Sequence, residues 1–567
     1  MTSVLDLPQI YENAQAVIAE QQAQMIAPPF VRLWDGNWNL RGTCGAEISG
    51  DFKWLLNESG QGLLVLPYDN YLAEWAVATN GNLGVNGAVQ NVHITVDKNG
   101  ARWDGRMQKA VPKTDEHGVT TVELTFLHSY EEVKHVYCWS SPFLPAAFQF
   151  PKNWLLAGPS IYMLKLTLFI QLLRLEASLW ALPDDPLNVN EWFDLDQSTW
   201  PVVVAPSDLL TDESLWCIIN ARWQGFHEVA APILDYAQLM VTTRRYLIGD
   251  PPPWPGAVLA NGTLVVDIVD RSGFYTGTSQ GGNVLTGLEY TIEVIANDFL
   301  DNEDNVLPDP DNPSAYVNPG WIGTLPSAPW VIYRPEQHTG VQTAEFTVTP
   351  FTDVQILSGG HSNPLVNDAI TTGIQLTGLL AGAAIQAVVG PTSLATIDAE
   401  AIASQLSDIA VTLLSPLYSD VILSWVSTKD ATRAATAGWS HYYEYFQTGA
   451  NNAYTLDSLI GLAEGMWATR SYFSHKLTVQ NGQPYLIGDQ GQGDFFLGDR
   501  VGSTVIGMPP GSIYVDQVTQ LDLTWNRTDG VNWGITIGTN KETEEPLLKG
   551  LSMLQNLVGV VQQLAVG

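Results

Sequence analysis

The chain has 567 residues, of which 45% are hydrophobic and only 15% are charged, so it is long enough to bury several hydrophobic cores. Its 25 Lys and Arg residues stand against 59 Asp and Glu residues, which gives a formal net charge of −34 at pH 7. Because this charge repels phosphate backbones and anionic lipids, the composition argues against sequence-independent binding of nucleic acid.

The N-terminal third is predicted to be a helix followed by antiparallel strands. Apolar residues recur at helical spacing over residues 9–26, and a Pro-Pro pair then ends the pattern. From Phe30 to Phe126 the pattern changes to the alternation that is typical of strands. Asn99-Gly100 lies between two such runs and is a strong hairpin signal.

The middle of the chain mixes a buried helix with further strands. Residues 158–180 are apolar but interrupted by charged residues, which predicts a helix packed in protein and not a membrane span. Residues 256–351 predict a β-rich unit, with an Asp/Asn/Pro loop inside it at 297–313. Residues 369–397 are uncharged, and we weigh burial in an oligomer against contact with a membrane. A Trp-rich helical stretch is expected at 416–476.

The C-terminal segment 541–567 carries apolar residues at the alternating four- and three-residue spacing of a heptad seam. If this seam forms a coiled coil, the chain self-associates through it. The alternative is a wide apolar face packed on the chain's own core. The residues expected to form the oligomer interface are Leu547, Leu551, Leu554, Val558 and Val561.

The three cysteines, Cys44, Cys138 and Cys217, are widely spaced and form no Cys-x-x-Cys pair. This pattern supports neither a disulfide framework nor a thiolate zinc site, so we expect buried free thiols. The first 20 residues contain acids but no basic residue, which is not the pattern of a signal peptide. We therefore expect the chain to be synthesised in a cytoplasm.

One group of residues has spacing that could suit a metal ion. His128, Glu131, Glu132 and His135 have helix-compatible spacing, and Glu132-x-x-His135 matches one of the two Glu-x-x-His pairs that a di-iron site uses together with two further Glu. The second Glu-x-x-His pair of such a site is missing. A solvated helix start is therefore the simpler interpretation, and we expect no metal site here.

Two further motifs are incomplete. The Gly-x-Ser-x-Gly motif around Ser279 is followed by a β-like run where a nucleophile elbow needs a helix. Asp301, Glu303 and Asn305 have the alternate spacing of a calcium loop. Val306 replaces the turn glycine of that loop and Asn312 its closing glutamate, so only a looser ion site stays open there. No two carboxylates stand out as a glycosidase pair. The sequence therefore predicts no catalytic residues and no cofactor.

Ordered aromatic and Gly-Asp blocks fill the chain from Pro416 to Gly538. They include Trp439-Ser-His-Tyr-Tyr-Glu444, Tyr454-Thr-Leu456, Trp467-Ala-Thr-Arg470 and Phe496-Leu-Gly-Asp499. In this order the blocks resemble those of the minor tail proteins of long-tailed phages that infect actinobacteria, a family assigned to the tail-tip hub. The resemblance is strongest in this range, moderate over residues 30–140 and weak between 180 and 400.

The resemblance implies a virion protein of the tail tip that forms a ring, usually a homotrimer, around a passage for DNA. The implied partners are further copies of the chain, the distal tail and tape-measure proteins, and other minor tail or receptor-binding proteins. Sequence-specific nucleic-acid binding is not implied, and transient contact with the host envelope stays open. The alternatives from other classes are a tail-associated cell-wall hydrolase and a carbohydrate-binding adhesin.

The expected fold class is α+β and β-rich: a multidomain chain with tube-like antiparallel β-barrel hub domains, an inserted β-sandwich and helical segments. The predicted division is an N-terminal helical arm (1–29), a first β-barrel hub domain (30–127), a helical and mixed insertion (128–255), a β-rich domain (256–357), a helical region with the uncharged apolar segment (358–476), a C-terminal β-barrel hub domain (477–540) and a C-terminal amphipathic helix (541–567).

Overall fold

A computed structural model of the protein describes residues 7–81, 91–271, 305–308, 331–334, 340–359, 425–447, 465, 469, 472–504, 512–528 and 530–538. The chain divides into two compact units. The first comprises Met1–Thr347 with Phe473–Leu557, and the second comprises Val348–Tyr472 with Val558–Gly567. The first unit holds most of the described residues.

The helices of the first unit begin with the predicted N-terminal arm, which the structure confirms as a helix that ends just before the Pro-Pro pair. These helices are α1 (Leu7–Ile26), α2 (Tyr71–Gly81), α3 (Tyr130–Lys134), α4 (Ser160–Glu176) and α5 (Phe226–Tyr236), with 3₁₀ turns at Val189–Glu191 and Leu209–Thr211.

Most of the described chain outside these helices forms strands and their turns. In chain order the strands are β1 (Phe30–Trp34), β2 (Leu40–Thr43), β3 (Ser49–Leu55), β4 (Gln61–Pro67), β5 (His93–Lys98), β6 (Ala101–Thr114), β7 (Thr120–His128), β8 (Tyr137–Cys138), β9 (Trp154–Pro159), β10 (Val202–Val204), β11 (Trp216–Ala221), β12 (Gln224–Gly225), β13 (Leu239–Arg245), β14 (Leu264–Asp270), β15 (Asn305–Pro308), β16 (Ile332–Tyr333), β17 (Val341–Thr349), β18 (Asp353–Gly359), β19 (Trp425–Lys429), β20 (Tyr442–Gln447), β21 (Tyr472–Gln480), β22 (Arg500–Ser503), β23 (Ser512–Asn526) and β24 (Gly530–Ile537).

One 14-stranded sheet dominates the fold, with the order β17-β21-β24-β23-β3-β4-β7-β6-β5-β1-β2 and with β15, β16 and β22 attached beside β23. The pairing of β23 with β3 is antiparallel, and it places Leu521 opposite Trp54 and Leu523 opposite Phe52. The C-terminal strands therefore continue the sheet that the N-terminal strands begin.

Aromatic packing reinforces this junction between the two ends of the chain. The Phe52 ring centroid lies 4.9 Å from that of Trp103 and 5.4 Å from that of Trp525. Gly50 makes room for this contact, because a Cβ atom there would lie 2.3 Å from the Trp525 ring. Fully burying a side chain of this size contributes about 1.5–3 kcal/mol, so the last strands add substantially to the core of the first.

The predicted hairpin at Asn99-Gly100 is confirmed. Lys98 of β5 pairs with Ala101 of β6, which leaves a two-residue turn. Both turn residues have positive φ, 47° at Asn99 and 76° at Gly100, as a type I′ turn requires.

A smaller layer inserted between β7 and β15 forms a second core. Its three-stranded sheet has the order β10-β14-β13, and α4 contacts both β10 and β14. Leu164 and Leu168 of α4 are completely buried, and Trp200 and Phe226 complete the core with them. The predicted packed helix over residues 158–180 is thus confirmed, because its apolar face is buried by the chain itself.

The fold is β-rich with few helices, but closure into barrels is not found among the described residues. There the strand order of the large sheet is an open path that begins at β17 and ends at β2. The strands of residues 30–127 and 477–540, predicted to form two hub barrels, share this one sheet because β3 and β23 are hydrogen-bonded neighbours. The predicted domain boundaries stay predictions.

Two local predictions are wrong. The Asp/Asn/Pro loop at 297–313 contains a strand, β15, in which Val306 pairs with Tyr514 of β23. Composition did not reveal it because a short strand needs only a partner edge to form. The stretch 416–476 was predicted to be helical, yet its described residues hold only one short helix, Ala431–Thr436, beside the strands β19 and β20 and the start of β21. Strands β19 and β20 are rich in aromatic and β-branched residues, which favour extended backbone.

In the second unit, β19, β18 and β20 form a three-stranded sheet in that order. A short helix, α6 (Ala431–Thr436), lies between β19 and β20 along the chain. Arg433 of α6 donates hydrogen bonds to the Asp353 carbonyl at 3.4 Å and to the Thr469 hydroxyl at 2.9 Å. These contacts hold the helix against the sheet.

Candidate assembly surfaces

A buried arginine connects the large sheet to the inserted layer. Arg245, at the end of β13, is 2% exposed, and its guanidinium donates to the Gly262 carbonyl at 2.8 Å and pairs with Glu132 of α3. Its backbone amide donates to the Asp104 carboxylate of β6 at 3.1 Å. The guanidinium also lies 4.8 Å from the centroid of the Trp38 ring, a cation–π contact. This cluster joins elements and leaves no group of Arg245 for a substrate.

A second arginine strengthens the same junction. Arg102 of β6 donates to Asp97 at 2.6 Å, to Asp250 at 2.5 Å and to the Arg245 carbonyl at 2.8 Å. Burial alone would raise the pKa of the Asp250 carboxyl, but hydrogen bonds from Arg102 and from the Leu247 amide lower it. Asp250 is therefore ionised at neutral pH, and the pair is a charged one.

The metal-site candidates are used as structural partners. Glu132 pairs with Arg245, and Glu131 accepts from the Ser59 hydroxyl at 2.6 Å and lies 3.6 Å from His135. The short helix predicted from their spacing is present as α3. Over the described ranges of the chain, no group of three or more His, Cys, Asp or Glu residues could hold a metal ion.

The buried thiols are poor nucleophiles. Cys138 and Cys217 are buried and free, as predicted, whereas the free thiol of Cys44 is only partly buried. Burial raises the pKa of the Cys138 and Cys217 thiols to about 12, so both are protonated at neutral pH.

A cleft of about 260 Å³ in the first unit is lined by charged groups that bind one another. The Arg271 guanidinium lies 2.6 Å from the Asp499 carboxylate. Arg244 donates to the Gly100 carbonyl at 3.0 Å and lies 4.0 Å from Asp489. This pairing suits a joint between β13, the β5–β6 turn and the loop before β22 better than it suits a binding site for a charged substrate.

The largest unexplained features are exposed apolar side chains, which concentrate in three places. Along α1, Ile10, Val17 and Ile18 are each about half exposed. In the second unit, Trp439 just before β20 and Tyr443 within β20 are 95% and 75% exposed. Soluble monomers rarely expose apolar groups in clusters, so such clusters mark surfaces that another molecule covers.

The third place is what we call the aromatic–acidic surface, in the segments before β9 and between α4 and β10. Its exposed apolar side chains are accompanied by a series of aspartates and glutamates. The apolar members are Phe143, Trp180, Leu187, Trp192 and Phe193.

Several predicted residues lie outside the described ranges. The heptad-seam residues Leu547, Leu551, Leu554, Val558 and Val561 are among them, and so are Ser279, Asp301, Glu303 and the uncharged segment 369–397. Asn305, the third residue of the calcium-loop pattern, begins β15.

Sequence reasoning missed both arginines and the aromatic–acidic surface. The signal for Arg245 was an Arg-Arg pair at the end of a strand that begins with three apolar residues, Leu239 to Val241, which indicates a buried charge with partners. The signal for the surface was Trp and Phe among Asp, Asn and Pro residues at 180–196, where no helix or strand pattern could bury them. The signal for Arg245 does not identify its partners, because Asp104 and Glu132 are more than 100 positions away in sequence. The signal for the surface does not identify what covers it.

Among the described helices, none combines the length and apolar character needed to cross a bilayer.

Comparison with known proteins identifies the family. A family model described as "Siphovirus ReqiPepy6 Gp37-like protein" matches residues 30–539. The chain is 31% identical to "Minor tail protein Gp28" of Mycobacterium phage L5 over 596 aligned residues, covering 99% of this chain and 98% of that protein. It is equally 31% identical to "Minor tail protein Gp28" of Mycobacterium phage D29, covering 99% of both chains.

A solved structure, the tail protein from Neisseria meningitidis MC58, aligns over 91% of this chain and 98% of that chain at 9% identity, with a TM-score of 0.36 that is too low to support a fold assignment. The full-length matches to the family and to the mycobacteriophage proteins do not depend on it. The chain therefore belongs to the family of Siphovirus ReqiPepy6 Gp37-like proteins, and it is a phage minor tail protein.

Proposed function

We propose that this minor tail protein is a structural hub of the tail tip. In this proposal copies of the chain form a ring, as a homotrimer, that connects the tail tube to host-recognition proteins and leaves a passage for DNA. Its neighbours are the distal tail and tape-measure proteins on one side and other minor tail or receptor-binding proteins on the other. The net charge of −34 would let DNA slide through without binding, because affinity for DNA depends on Lys and Arg contacts to phosphates.

The observation that carries the proposal is the exposure of large apolar side chains in separate clusters, with Leu187 92% and Trp439 95% exposed. A chain that works inside an assembly needs several such surfaces, whereas a soluble enzyme needs one cleft. Among the described residues the strand order of the large sheet is open, which points the same way, because an edge strand of such a sheet can pair with a strand of another chain. Tube-like β-barrels would then be completed by neighbouring subunits.

Immunogold electron microscopy of intact particles, with antibody against this chain, tests the location. Gold confined to the tail tip is the expected result. Label along the tail or on the head would contradict the tip assignment. Absence of the chain from denatured particles by immunoblot would contradict a virion role altogether.

Mass measurement of the purified full-length chain by light scattering tests the ring and the C-terminal seam together. We expect a homotrimer, and we expect the double substitution Leu551→Asp/Leu554→Asp to convert it to monomer without loss of circular-dichroism signal. Asn556→Asp, predicted to lie opposite the seam, is the matched control. A trimer that survives the double substitution would assign self-association to another surface.

One observation favours a second candidate function, glycan binding. Trp439 before β20 and Tyr442 at its first position are exposed, and the His441 ring lies 5.5 Å from the ring of Tyr443. Exposed aromatic faces with nearby polar groups are the chemistry that stacks on sugar rings. Pull-down with cell-wall glycan tests it: loss of binding on Trp439→Ala would support an adhesin, and equal retention by wild type and variant would oppose it.

The hydrolase alternative has no structural observation in its favour. Zymography on host cell-wall material is the direct test, and a clearing zone that disappears when one acidic residue is replaced would overturn the structural assignment.

A further inference from the structure

We propose that the aromatic–acidic surface is the docking site for a different tail polypeptide whose contact surface is apolar and positively charged. The inference rests on the proposed function, because it presupposes that the chain works inside an assembled tail. It goes further by naming the surface and the chemistry of the partner.

The surface is continuous, although its residues come from two segments. The Trp180 indole donates to the Phe143 carbonyl at 3.2 Å, which joins the segment before β9 to the loop after α4. Within that loop, the Asp185 amide donates to the Glu191 carboxylate at 2.7 Å, and the Trp192 indole donates to the Pro186 carbonyl at 3.1 Å. These bonds tie the residues of the loop to one another and to the segment before β9.

The apolar side chains on this face are held out of the core. Phe143 is 54% exposed, Trp180 62%, Leu187 92% and Phe193 66%. Trp180 and Phe193 also have positive φ, 63° and 58°, a backbone conformation that bulky L-residues rarely adopt. An aromatic residue in such a conformation that stays largely exposed to water gains little from packing in the chain itself. The exposure and the positive φ are both explained if a partner buries these side chains and supplies the stabilising contacts.

Charge decides which partner fits. The chain contains no Lys or Arg between Arg174 and Arg222, whereas this stretch contains acids on both sides of the exposed aromatics. The acids nearest to the exposed aromatics in sequence are Asp184, Asp185, Glu191, Asp194 and Asp196. Burial, together with Asp194 and Asp184, raises the pKa of Glu176 at the end of α4 to about 7, as expected where carboxylates crowd without a cation.

A basic, apolar protein surface satisfies both features. Its Lys and Arg residues would neutralise the carboxylates, and its apolar residues would cover the aromatics. A second copy of this chain, joined through the same surface, is a poor occupant, because the contact would bring acidic residues against acidic residues with no Lys or Arg between Arg174 and Arg222 to pair with them. Nucleic acid and anionic membrane are poor occupants because they are also negatively charged.

Site-specific photocrosslinking in phage particles tests the proposal. The photoreactive residue p-benzoylphenylalanine replaces Phe193 in the full-length chain, the particles are irradiated, and crosslinked peptides are identified by mass spectrometry. We expect crosslinks to a different polypeptide, at a peptide that contains Lys or Arg beside apolar residues. The control is the same replacement at Tyr71, an aromatic residue at the start of α2 that is 61% exposed and lies outside this surface.

The outcomes separate the inference from the proposed function. If the chain is absent from the particles, the proposed function fails. If it is present but Phe193 crosslinks only to a second copy or to no protein, the docking inference is wrong while the tail assignment stands. Crosslinks to the same peptide from Tyr71 and Phe193 would also overturn it, because they would show no preference for this surface.

Binding measurements with the crosslinked partner supply the second test. We expect Trp180→Ala and Phe193→Ala each to raise Kd at least about tenfold, because exposed aromatics that become buried dominate interface energies. Asp184→Asn/Asp194→Asn should weaken binding mainly at low salt and flatten its salt dependence. Tyr71→Ala should leave Kd unchanged. Wild-type affinity in both aromatic variants, with folding verified by circular dichroism, would overturn the proposal.

Discussion

Arg245 links three elements from inside the protein. Its amide and guanidinium reach β6, α3 and the turn before β14, and its side chain has almost no contact with water. A buried charge of this kind costs free energy to desolvate, and its partners recover that cost only while all of them are present. The junction is therefore sensitive to single substitutions.

Arg245→Met is expected to lower the free energy of unfolding of the first unit by about 3–5 kcal/mol, because it leaves the Glu132 and Asp104 carboxylates without their cation. Denaturant titration followed by tryptophan fluorescence measures it. The matched control is Arg41→Met: Arg41 is exposed and also lies over a tryptophan ring, that of Trp75, at 5.2 Å. Arg41→Met should lower the free energy of unfolding by less than about 1 kcal/mol. Equal losses of unfolding free energy in the two variants would show that the buried contacts of Arg245 stabilise the protein no more than the exposed contact of Arg41.

His93 makes the same junction sensitive to acid. It is 5% exposed and stacks on Trp38 at 4.6 Å. Burial, reinforced by Arg245 and Arg106, lowers its pKa from 6.5 to about 3, so the folded state holds it neutral. Below pH 6.5 the unfolded chain takes up a proton that the folded chain refuses. This residue therefore reduces stability as pH falls from 6.5 towards 3, by up to about 1.4 kcal/mol per pH unit.

His93→Phe keeps an aromatic ring in the stack and removes the titration, so it should flatten the fall in unfolding free energy between pH 6.5 and pH 3. Denaturant midpoints measured across this pH range test it. His117→Phe is the control, since the side chain of His117 is 79% exposed. A variant as acid-sensitive as wild type would mean that His93 is charged in the folded protein or titrates in both states alike.

At the scale of elements, two hairpin turns of the large sheet each contain a glycine with positive φ, but the two glycines differ in their surroundings. Gly100 in the β5–β6 turn and Gly118 in the β6–β7 turn both have positive φ, 76° and 79°. A Cβ atom at Gly100 would lie 2.2 Å from the Asp489 carbonyl oxygen, whereas a Cβ at Gly118 would meet nothing within 4 Å. The β5–β6 turn thus packs against the loop around Asp489, whereas a side chain at Gly118 in the β6–β7 turn would extend into open space.

Gly118→Ala should lower the free energy of unfolding by about 1 kcal/mol, because alanine is strained at positive φ. Gly100→Ala should cost that amount plus about 1–3 kcal/mol, because the backbone of the 489 loop must move to admit the methyl group. Thermal unfolding of both variants measures the difference. Equal costs would indicate that the 489 loop does not rest on the β5–β6 turn.

At the scale of the whole molecule, the two ends of the chain are interdependent. Strand β3 lies between β4 and β23, so without the C-terminal strands it becomes an edge, and the face of Phe52 loses its contact with Trp525. Long exposed edges with apolar faces aggregate.

A fragment of residues 1–271 is expected to be insoluble or loosely packed when expressed alone, and co-expression with residues 472–567 should restore a soluble complex. Solubility, circular dichroism and size-exclusion elution measure the recovery. A fragment of residues 1–538 is the control, because it retains every described strand of the sheet and lacks only the segment with the heptad seam. A well-folded monomer from residues 1–271 would contradict the shared sheet.

Much of the local structure was predictable from sequence because its causes are local. The α1 helix follows from apolar spacing closed by a Pro-Pro pair, the β5–β6 hairpin from Asn99-Gly100, and the packed α4 helix from an apolar run. Family membership was predictable as well, because ordered blocks of aromatic residues and turns are themselves a property of sequence. The oligomer seam at the C-terminus stays a prediction, since it lies outside the described residues.

The sequence by itself determined the periodicity of the elements, the acidic surface and the absence of a signal for chemistry, since these depend on residue types and near neighbours. Only the tertiary structure decided that the strands of both chain ends share one sheet, that Arg245 is its buried link to the inserted layer, and that Trp180 and Phe193 face water. The physical reason is that pairing and burial depend on residues hundreds of positions apart. Residue type alone does not distinguish a tryptophan buried in a core, such as Trp525, from one exposed on a surface, such as Trp180.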